Sequence, residues 1–225
     1  MKIGIDFDNT IACYDNSFFQ VALKNKWIEN NVPKSKNSVK IYMHKKKLFK
    51  EFTTLQGLVY GKEILRAKVF SGFKKFIAEN CSKHKFFIIS HKTRYPIIGK
   101  KIDLHFAAYD FLNHNKLEYF TKDIENRVYL ETEKENKIKR AKILDLDYFI
   151  DDLPEILNMK GFLTKTKKVL FDPNKISQYD SMFMNFSSWV EINNFFKSRW
   201  YIIQKKTLIF SFPIIPTLKI LNLKG

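Results

Sequence analysis

The feature that most limits what this chain can become is its first ten residues, Met1-Lys2-Ile3-Gly4-Ile5-Asp6-Phe7-Asp8-Asn9-Thr10. Ile3, Ile5 and Phe7 alternate with the period of a strand, and the run stops on two carboxylates, an asparagine and a threonine. Such a strand is buried along its length and acidic at its end. Open α/β sheets place their ligands at the carboxyl edge of the strands, so in the middle of a parallel sheet Asp6 and Asp8 emerge at the working edge. The same residues also suit a strand followed by an Asp-Asn turn that caps a helix, so the rest of the chain has to decide.

The rest of the chain repeats the pattern. Phe86-Phe87-Ile88-Ile89 is a second apolar run, ending on Ser90 and followed by His91-Lys92-Thr93. A hydroxyl at the end of a buried strand can donate to a phosphoryl oxygen, and it can equally cap a turn. Val128-Tyr129-Leu130 is a weaker strand, whereas Tyr148-Phe149-Ile150 is a strong one that ends on Asp151-Asp152 before Leu153-Pro154-Glu155. Pro154 suits the first position of a helix, for which Asp152 would be the N-cap. Val169-Leu170-Phe171, closed by Asp172-Pro173-Asn174, is the last strand expected.

Helices fill the intervals. Phe18, Phe19, Ala22 and Leu23 recur at helical spacing up to Asn25-Lys26, and a second helical stretch runs from Val39 to Thr54 with Lys45-Lys46-Lys47 on a solvated face. No strand is expected between Ile11 and Lys68. Another helix starts near Ser71-Gly72, and one from Asp103 to Asn113 has Leu104, Ala107, Ala108, Phe111 and Leu112 as its apolar face. Thr132-x-x-Glu135 reads as a capping box opening a helix to Leu146, with Lys134 and Lys137 on its first turns. Ser188-x-x-Glu191 opens a further helix through Lys197. From Ser198 to Gly225 apolar clusters are broken by Pro213 and Pro216 without a sustained period, which reads as a peripheral tail of uncertain order.

Composition narrows the class. With 225 residues, 45% of them hydrophobic and 16% aromatic, the chain fills a core of one α/β domain with an insertion, or at most two small domains. Cys13 and Cys81 form neither a disulfide framework nor a metal cluster, and no apolar run approaches the ~20 residues of a membrane span, so a cytoplasmic protein without a membrane span is expected. The net charge of +17 raises nucleic acid as a partner, but lysine and asparagine are spread through the whole chain rather than gathered in a patch. A basic field still favours an anionic substrate.

Asp6-Phe7-Asp8-Asn9-Thr10, Phe86-Phe87-Ile88-Ile89-Ser90, a lysine near the start of the following helix and Phe149-Ile150-Asp151-Asp152 come in this order along the chain. In that order they resemble the four motifs of the haloacid dehalogenase (HAD) superfamily of phosphohydrolases, over roughly residues 1–197. The resemblance implies an α/β fold, a Rossmann-like three-layer parallel sheet with its first strand central and a small helical cap insertion. Residues 1–13 and 69–197 would form the catalytic core, 14–68 the cap and 198–225 the tail. Asp6 is then the nucleophile that forms an aspartyl-phosphate, and Asp8 the general acid and base. Ser90 and Lys137 resemble the phosphate-orienting pair, with Lys134 as the close rival and Lys139 also near. Lys137 is preferred because it precedes the Ile138, Ala141 and Leu144 face that leads into the Tyr148-to-Asp152 strand. Asp151 resembles the ligand of a Mg²⁺ ion, together with Asp6 and Asp8, the latter through its backbone carbonyl, and with Asp152 in support.

The expectation is a Mg²⁺-dependent phosphatase acting on a small phosphorylated metabolite such as a sugar phosphate. Two alternatives compete with it: a basic nucleic-acid-binding protein on an inactive HAD-like scaffold, and a phosphatase of polynucleotide ends.

Overall fold

The structure, a computed structural model, describes residues 1–175 and 183–210, with 200–210 described by backbone alone. Strand β1 (Lys2–Ile5) is followed by the two-residue strand β2 (Ala12–Cys13) and by helices α1 (Asp15–Lys24), α2 (Lys36–Lys45) and α3 (Phe49–Tyr60). Next come β3 (Lys68–Val69), α4 (Phe73–Asn80), β4 (Lys85–His91), α5 (Leu104–His114) and the single turns α6 (Glu118–Thr121) and α7 (Ile124–Arg127). Then follow β5 (Val128–Glu131), α8 (Lys134–Ile143), β6 (Tyr148–Asp151), α9 (Pro154–Leu157), β7 (Lys167–Phe171), β8 (Met184–Phe186) and α10 (Trp189–Phe210).

Six strands form one sheet in the order β5-β4-β1-β6-β7-β8, and every pair is parallel. From β1 the chain moves outward through β4 to β5, then returns to β6 on the other side of β1. That reversal opens a crevice between the carboxyl ends of β1 and β6, where a doubly wound sheet binds its ligand. Side-chain alternation builds the two faces. Ile3, Ile5, Phe86, Ile88, Tyr148, Ile150, Val169 and Phe171 join one core cluster with residues of α4, α5 and α10. Ile89, Phe149 and Leu170 point the other way, against Ile138 and Ala141 of α8 and Ile156 and Leu157 of α9. Gly4 has its own reason in the central strand: a Cβ there would lie 2.5 Å from Leu146 Cδ1 and 2.7 Å from Phe149 Cδ2.

The segment holding α1–α3 begins and ends at one place, because β2 and β3 pair antiparallel, Ala12 with Val69 and Cys13 with Lys68. Residues of α1, α2 and α3 such as Phe18, Val39, Met43, Leu55 and Val59 share the core cluster that covers the first face of the sheet. Trp189 of α10 is buried against Phe73, Phe76 and Phe171, and its Nε1 donates to the Thr10 carbonyl at 2.9 Å. That bond ties the loop after β1 to the far end of the chain.

Several local expectations need correction. The segment after Ile11 does contain a strand, the short β2. The stretch from Val39 to Thr54 is two helices, broken where Lys47 takes a left-handed backbone (φ 59°) and Leu48 N bonds to Met43 O. Thr132 and Glu135 form no capping box, since α8 starts at Lys134 with Glu133 as an N-cap that makes no side-chain bond. Ser188 does cap its helix, accepting from Glu191 N at 3.2 Å, while Glu191 accepts from Ser187 N. That helix does not stop at Lys197 but runs on to Phe210, through residues without Gly or Pro. The remainder of the tail, 211–225, lies outside the described residues. Asp152 is not an N-cap, because α9 opens with Leu153 in that place and Pro154 as its first residue. Among the described residues no helix is long and apolar enough to cross a membrane.

Candidate active site

The central strands end together. Asp6 N still bonds to Ile150 O at 2.9 Å, so Asp6 leaves β1 in step with the end of β6, where Asp151 sits. Asp6 is 4% exposed and Asp151 fully buried. Lys137, from the second turn of α8, reaches both: its Nζ donates at 2.6 Å to Asp6 Oδ1 and at 2.6 Å to Asp151 Oδ2. Ser90, at the end of β4, donates its hydroxyl to the same Asp6 Oδ1 at 2.9 Å. The other oxygen of Asp151 accepts from Leu153 N at 3.0 Å, which fixes the turn that carries Asp152. Lys134 lines the same cavity without joining this network, and Lys139 is exposed.

Asp8 lies two residues further on and looks elsewhere. The loop turns at Asn9, whose left-handed backbone (φ 61°) suits an asparagine, and closes with Ile11 N and Ala12 N both on Phe7 O. The Asp8 carboxylate accepts from Tyr14 Oη at 2.6 Å and from Lys92 Nζ at 2.9 and 2.8 Å. Lys92 is buried, with its ammonium 5.4 Å from the Phe7 ring and 4.9 Å from the Tyr60 ring, and its carbonyl is 2.7 Å from His105 Nε2. A cavity of about 300 Å³ opens over both carboxylates, walled by Thr53, Gln56 and Tyr60 of α3 and by Pro96 and Ile97 of the loop after β4. Gly57 permits that closeness, since a Cβ there would lie 2.8 Å from Pro96 Cβ.

No family model matches the chain, and no curated protein matches its sequence. Solved structures do resemble it. A HAD-superfamily hydrolase from Ehrlichia chaffeensis is 13% identical over 86% of this chain and 94% of its own, with a TM-score of 0.50. The haloacid dehalogenase-like hydrolase SP0104 from Streptococcus pneumoniae is 14% identical over 87% of this chain and 97% of its own, at 0.51. A putative haloacid dehalogenase-like hydrolase from Burkholderia xenovorans LB400 is 12% identical, with 86% and 94% covered, at 0.50. The chain has the haloacid dehalogenase-like fold.

On this haloacid dehalogenase-like sheet the charges do not balance at the Asp6 end. Asp6, Asp151 and Asp152 each offer a carboxylate oxygen, and the three oxygens lie within 4.8 Å of one another. Burial raises the pKa of Asp151; Lys137 pulls it back and Asp6 pushes it up again. Asp152 is raised well above the carboxylate range by burial and then by Asp6 and Asp151. Lys137 is pulled down by burial, but Asp151 and Asp6 together more than reverse this and hold it as an ammonium. One ammonium therefore serves three clustered carboxyl groups, two of which are pushed towards their protonated form. A hard divalent cation with a taste for oxygen, such as Mg²⁺, fits this donor set and would remove the excess negative charge. Asp8 contributes no carboxylate oxygen to it, being engaged with Lys92 and Tyr14.

The structure thus brings together Asp6, Ser90, Lys137, Asp151 and Asp152, with Asp8 set slightly apart. Sequence reasoning offers Lys92 only as one of His91, Lys92, Arg94 and Tyr95 that could meet a leaving group from the loop after Ser90, and it misses Tyr14, Tyr60 and Lys36. Tyr14 and Tyr60 have raised pKa values, first through burial and then through the Asp8 charge, which Lys36 partly offsets at Tyr60, so both rings keep their hydroxyl protons. The signal that would have singled out Lys92 is its position two residues beyond Ser90, at the end of a strand adjacent to β1.

Proposed function

We propose that the chain is a phosphomonoester hydrolase in which Asp6 is the nucleophile. The observation that carries this is the contrast between two carboxylates two residues apart. Asp6 is held by Ser90 and Lys137 at the mouth of the sheet crevice, and Asp8 is held by Lys92 and Tyr14 across the same cavity. A free oxygen of Asp6 attacks phosphorus, and the bond to the ester oxygen breaks as Asp8, which enters this step in its protonated form, passes it a proton, leaving an aspartyl-phosphate on Asp6. Asp8, now a carboxylate, takes a proton from a water that attacks the same phosphorus. Phosphate leaves and Asp6 is restored. Ser90 and Lys137 stabilise the equatorial oxygens as charge redistributes, which Lys137 can do because it remains an ammonium. Asp6, Asp151 and Asp152, with the carbonyl of Asp8, would hold Mg²⁺, which supplies charge neutralisation for an anionic substrate approaching a carboxylate.

In this reading α1–α3 act as a cap, since Thr53, Gln56 and Tyr60 close the cavity over the carboxylates. A cavity of about 300 Å³ lies at the small end of ligand sites. It supports a small phosphorylated substrate and disfavours a polynucleotide. Two free cysteines, Cys13 half-buried and Cys81 exposed, suit a reducing cytoplasmic setting.

The test is hydrolysis of p-nitrophenyl phosphate and a panel of phosphorylated metabolites with Mg²⁺, for the wild type and Asp6→Asn. The wild type is expected to turn over and Asp6→Asn to lose roughly 10³-fold or more. Full activity in Asp6→Asn removes the nucleophile from the proposal. A preference for an oligonucleotide end over the matching mononucleotide would replace the small-substrate reading with the polynucleotide one.

A further inference from the structure

Four lysines line the cavity: Lys137 and Lys92 have counter-ions, Lys134 is exposed, and Lys36 is half-buried. Lys137 pairs with Asp6 and Asp151, and Lys92 with Asp8. Lys36 lines the same cavity and forms no ion pair among the described residues. It is the first residue of α2, in a fixed place: its N–H donates to Asp15 Oδ1 at 2.8 Å, and Ser35 caps the helix by accepting from Ser38 N at 3.0 Å. Its Nζ sits 5.7 Å from the Phe18 ring and 5.7 Å from the Tyr60 ring, aromatic faces that tolerate a cation without neutralising it. Burial works against the charge, but the Tyr60 hydroxyl and the carboxylates of Asp152 and Asp8 more than offset it, so Lys36 stays an ammonium.

Its place relative to the reacting groups decides what it can meet. Two cations lie close to the Tyr60 ring, Lys92 Nζ 4.9 Å and Lys36 Nζ 5.7 Å from its centre. Lys92 is bonded to Asp8, the side chain that serves the leaving oxygen as general acid, whereas Ser90 and Lys137 are bonded to Asp6. Lys36 shares the Tyr60 ring with Lys92, the partner of Asp8, and is bonded to none of the groups that hold Asp6, so it is free to meet the part of a substrate beyond the phosphoryl group. Taking about 30 Å³ for each water-sized group, the cavity of about 300 Å³ holds the phosphoryl group and a short leaving group.

We propose that Lys36 is a specificity-determining residue that binds a second acidic group, a carboxylate or a second phosphate, carried by the leaving group of a small phosphomonoester. This rests on the phosphatase reading above for the identity of the phosphoryl end. The anion on the substrate supplies the partner that the protein leaves out, and a neutral leaving group leaves Lys36 without one.

The experiment compares two phosphomonoesters of nearly equal size, 3-phosphoglycerate and glycerol 3-phosphate, which differ in a carboxylate against a hydroxymethyl group. With Mg²⁺ present, the wild type is expected to favour the acid by about tenfold or more in kcat/KM. Lys36→Met is expected to bring that ratio close to one, and Lys36→Arg to retain it. An absent preference in the wild type overturns the proposal, and so does a Lys36→Met variant that loses equally on both compounds. Circular dichroism checks the fold, and Lys36→Gln takes the place of Lys36→Met if the latter does not fold. A wild type that hydrolyses neither these compounds nor p-nitrophenyl phosphate and the metabolite panel defeats the phosphatase reading separately. Calorimetric titration of the wild type with the same two compounds then decides the anion site: tighter binding of the acid that disappears in Lys36→Met supports it, and equal or no binding overturns it.

Discussion

Asp6 and Asp8 are separated by one residue, yet each meets a buried lysine in a different setting. Asp6 shares Lys137 with Asp151 and has Asp152 beside it, so that end of the cavity crowds three carboxyl groups on one ammonium and pushes two of them towards protonation. Asp8 has Lys92 to itself and a phenolic proton from Tyr14 as well, so that end is balanced. A crowded cluster has use for a cation and for a phosphoryl group that arrives with one. A balanced pair is suited to holding a carboxylate in one orientation towards a leaving oxygen. Sequence proximity therefore says little about role here; which strand end faces each carboxylate says more.

The most severe way to break the contrast is to remove the shared ammonium. Lys137→Met leaves buried carboxylates with no cation, and breaking a buried pair in this way costs about 3–5 kcal/mol. Urea unfolding without metal is expected to show that loss, and saturating Mg²⁺ to recover part of it. An unchanged unfolding midpoint would mean that Lys137 is not needed to hold Asp6 and Asp151 together. Removing the private ammonium is expected to act on chemistry instead. Lys92→Met frees Asp8 to turn, so kcat/KM on an alkyl phosphate, whose leaving oxygen needs the proton, is expected to fall by about 10²-fold. The fall on p-nitrophenyl phosphate should be smaller, since p-nitrophenolate leaves without one. Equal losses on both would reduce Lys92 to a packing residue.

The difference between the two ends also marks what could be read beforehand. Asp6, Ser90, Asp151 and Asp152 were legible because each closes or follows a short apolar run, and a strand brings its own end to the sheet edge. Lys137 was separable from Lys134 only by resemblance, and the structure separates them by burial, Lys137 at 2% exposure and Lys134 in the open. The inward turn of Lys92 onto Asp8, and Lys36 altogether, were illegible for another reason. In a chain with 40 lysines and arginines nothing local marks the ones that turn inward, and the bond from Lys92 to Asp8 spans 84 residues. The edge strand β8, Met184–Phe186, has three residues and no alternation to announce it, and the break at Lys47 uses a left-handed backbone without the glycine that usually signals one.

A milder change sharpens the comparison without breaking it. Asp152 adds negative charge to a crowded place, which is why burial and then Asp6 and Asp151 raise its pKa. Asp152→Asn is expected to make the metal-free protein more stable, on the order of 1 kcal/mol, and to reduce the stabilisation that Mg²⁺ gives. Thermal unfolding with and without Mg²⁺ measures both. A variant less stable than the wild type in the absence of metal would show that Asp152 is needed for packing rather than tolerated for binding.

The smallest effect is a dependence on pH with two opposing parts. Carboxyl groups whose pKa is higher folded than unfolded bind more protons in the native state, so Asp151 and Asp152 make the metal-free protein gain stability as pH falls from neutral towards their ordinary value of 3.8. His84 acts in the other direction. Burial, followed by the positive N-terminus, lowers its pKa from 6.5 to about 4, so the unfolded chain takes up the proton first. Its contribution is complete above 6.5 and is lost as pH falls towards about 4. Between about pH 8 and about pH 6.5 only the carboxylates act, and the metal-free midpoint is expected to rise on acidification over that interval. Saturating Mg²⁺ should abolish the rise, because an ion bound by the carboxylates competes with the proton. Below it, His84→Gln should be less sensitive to acid than the wild type. A metal-free protein that loses stability steadily from about pH 8 downwards would mean that the Asp6 end is as well balanced as the Asp8 end, and the distinction between them would go.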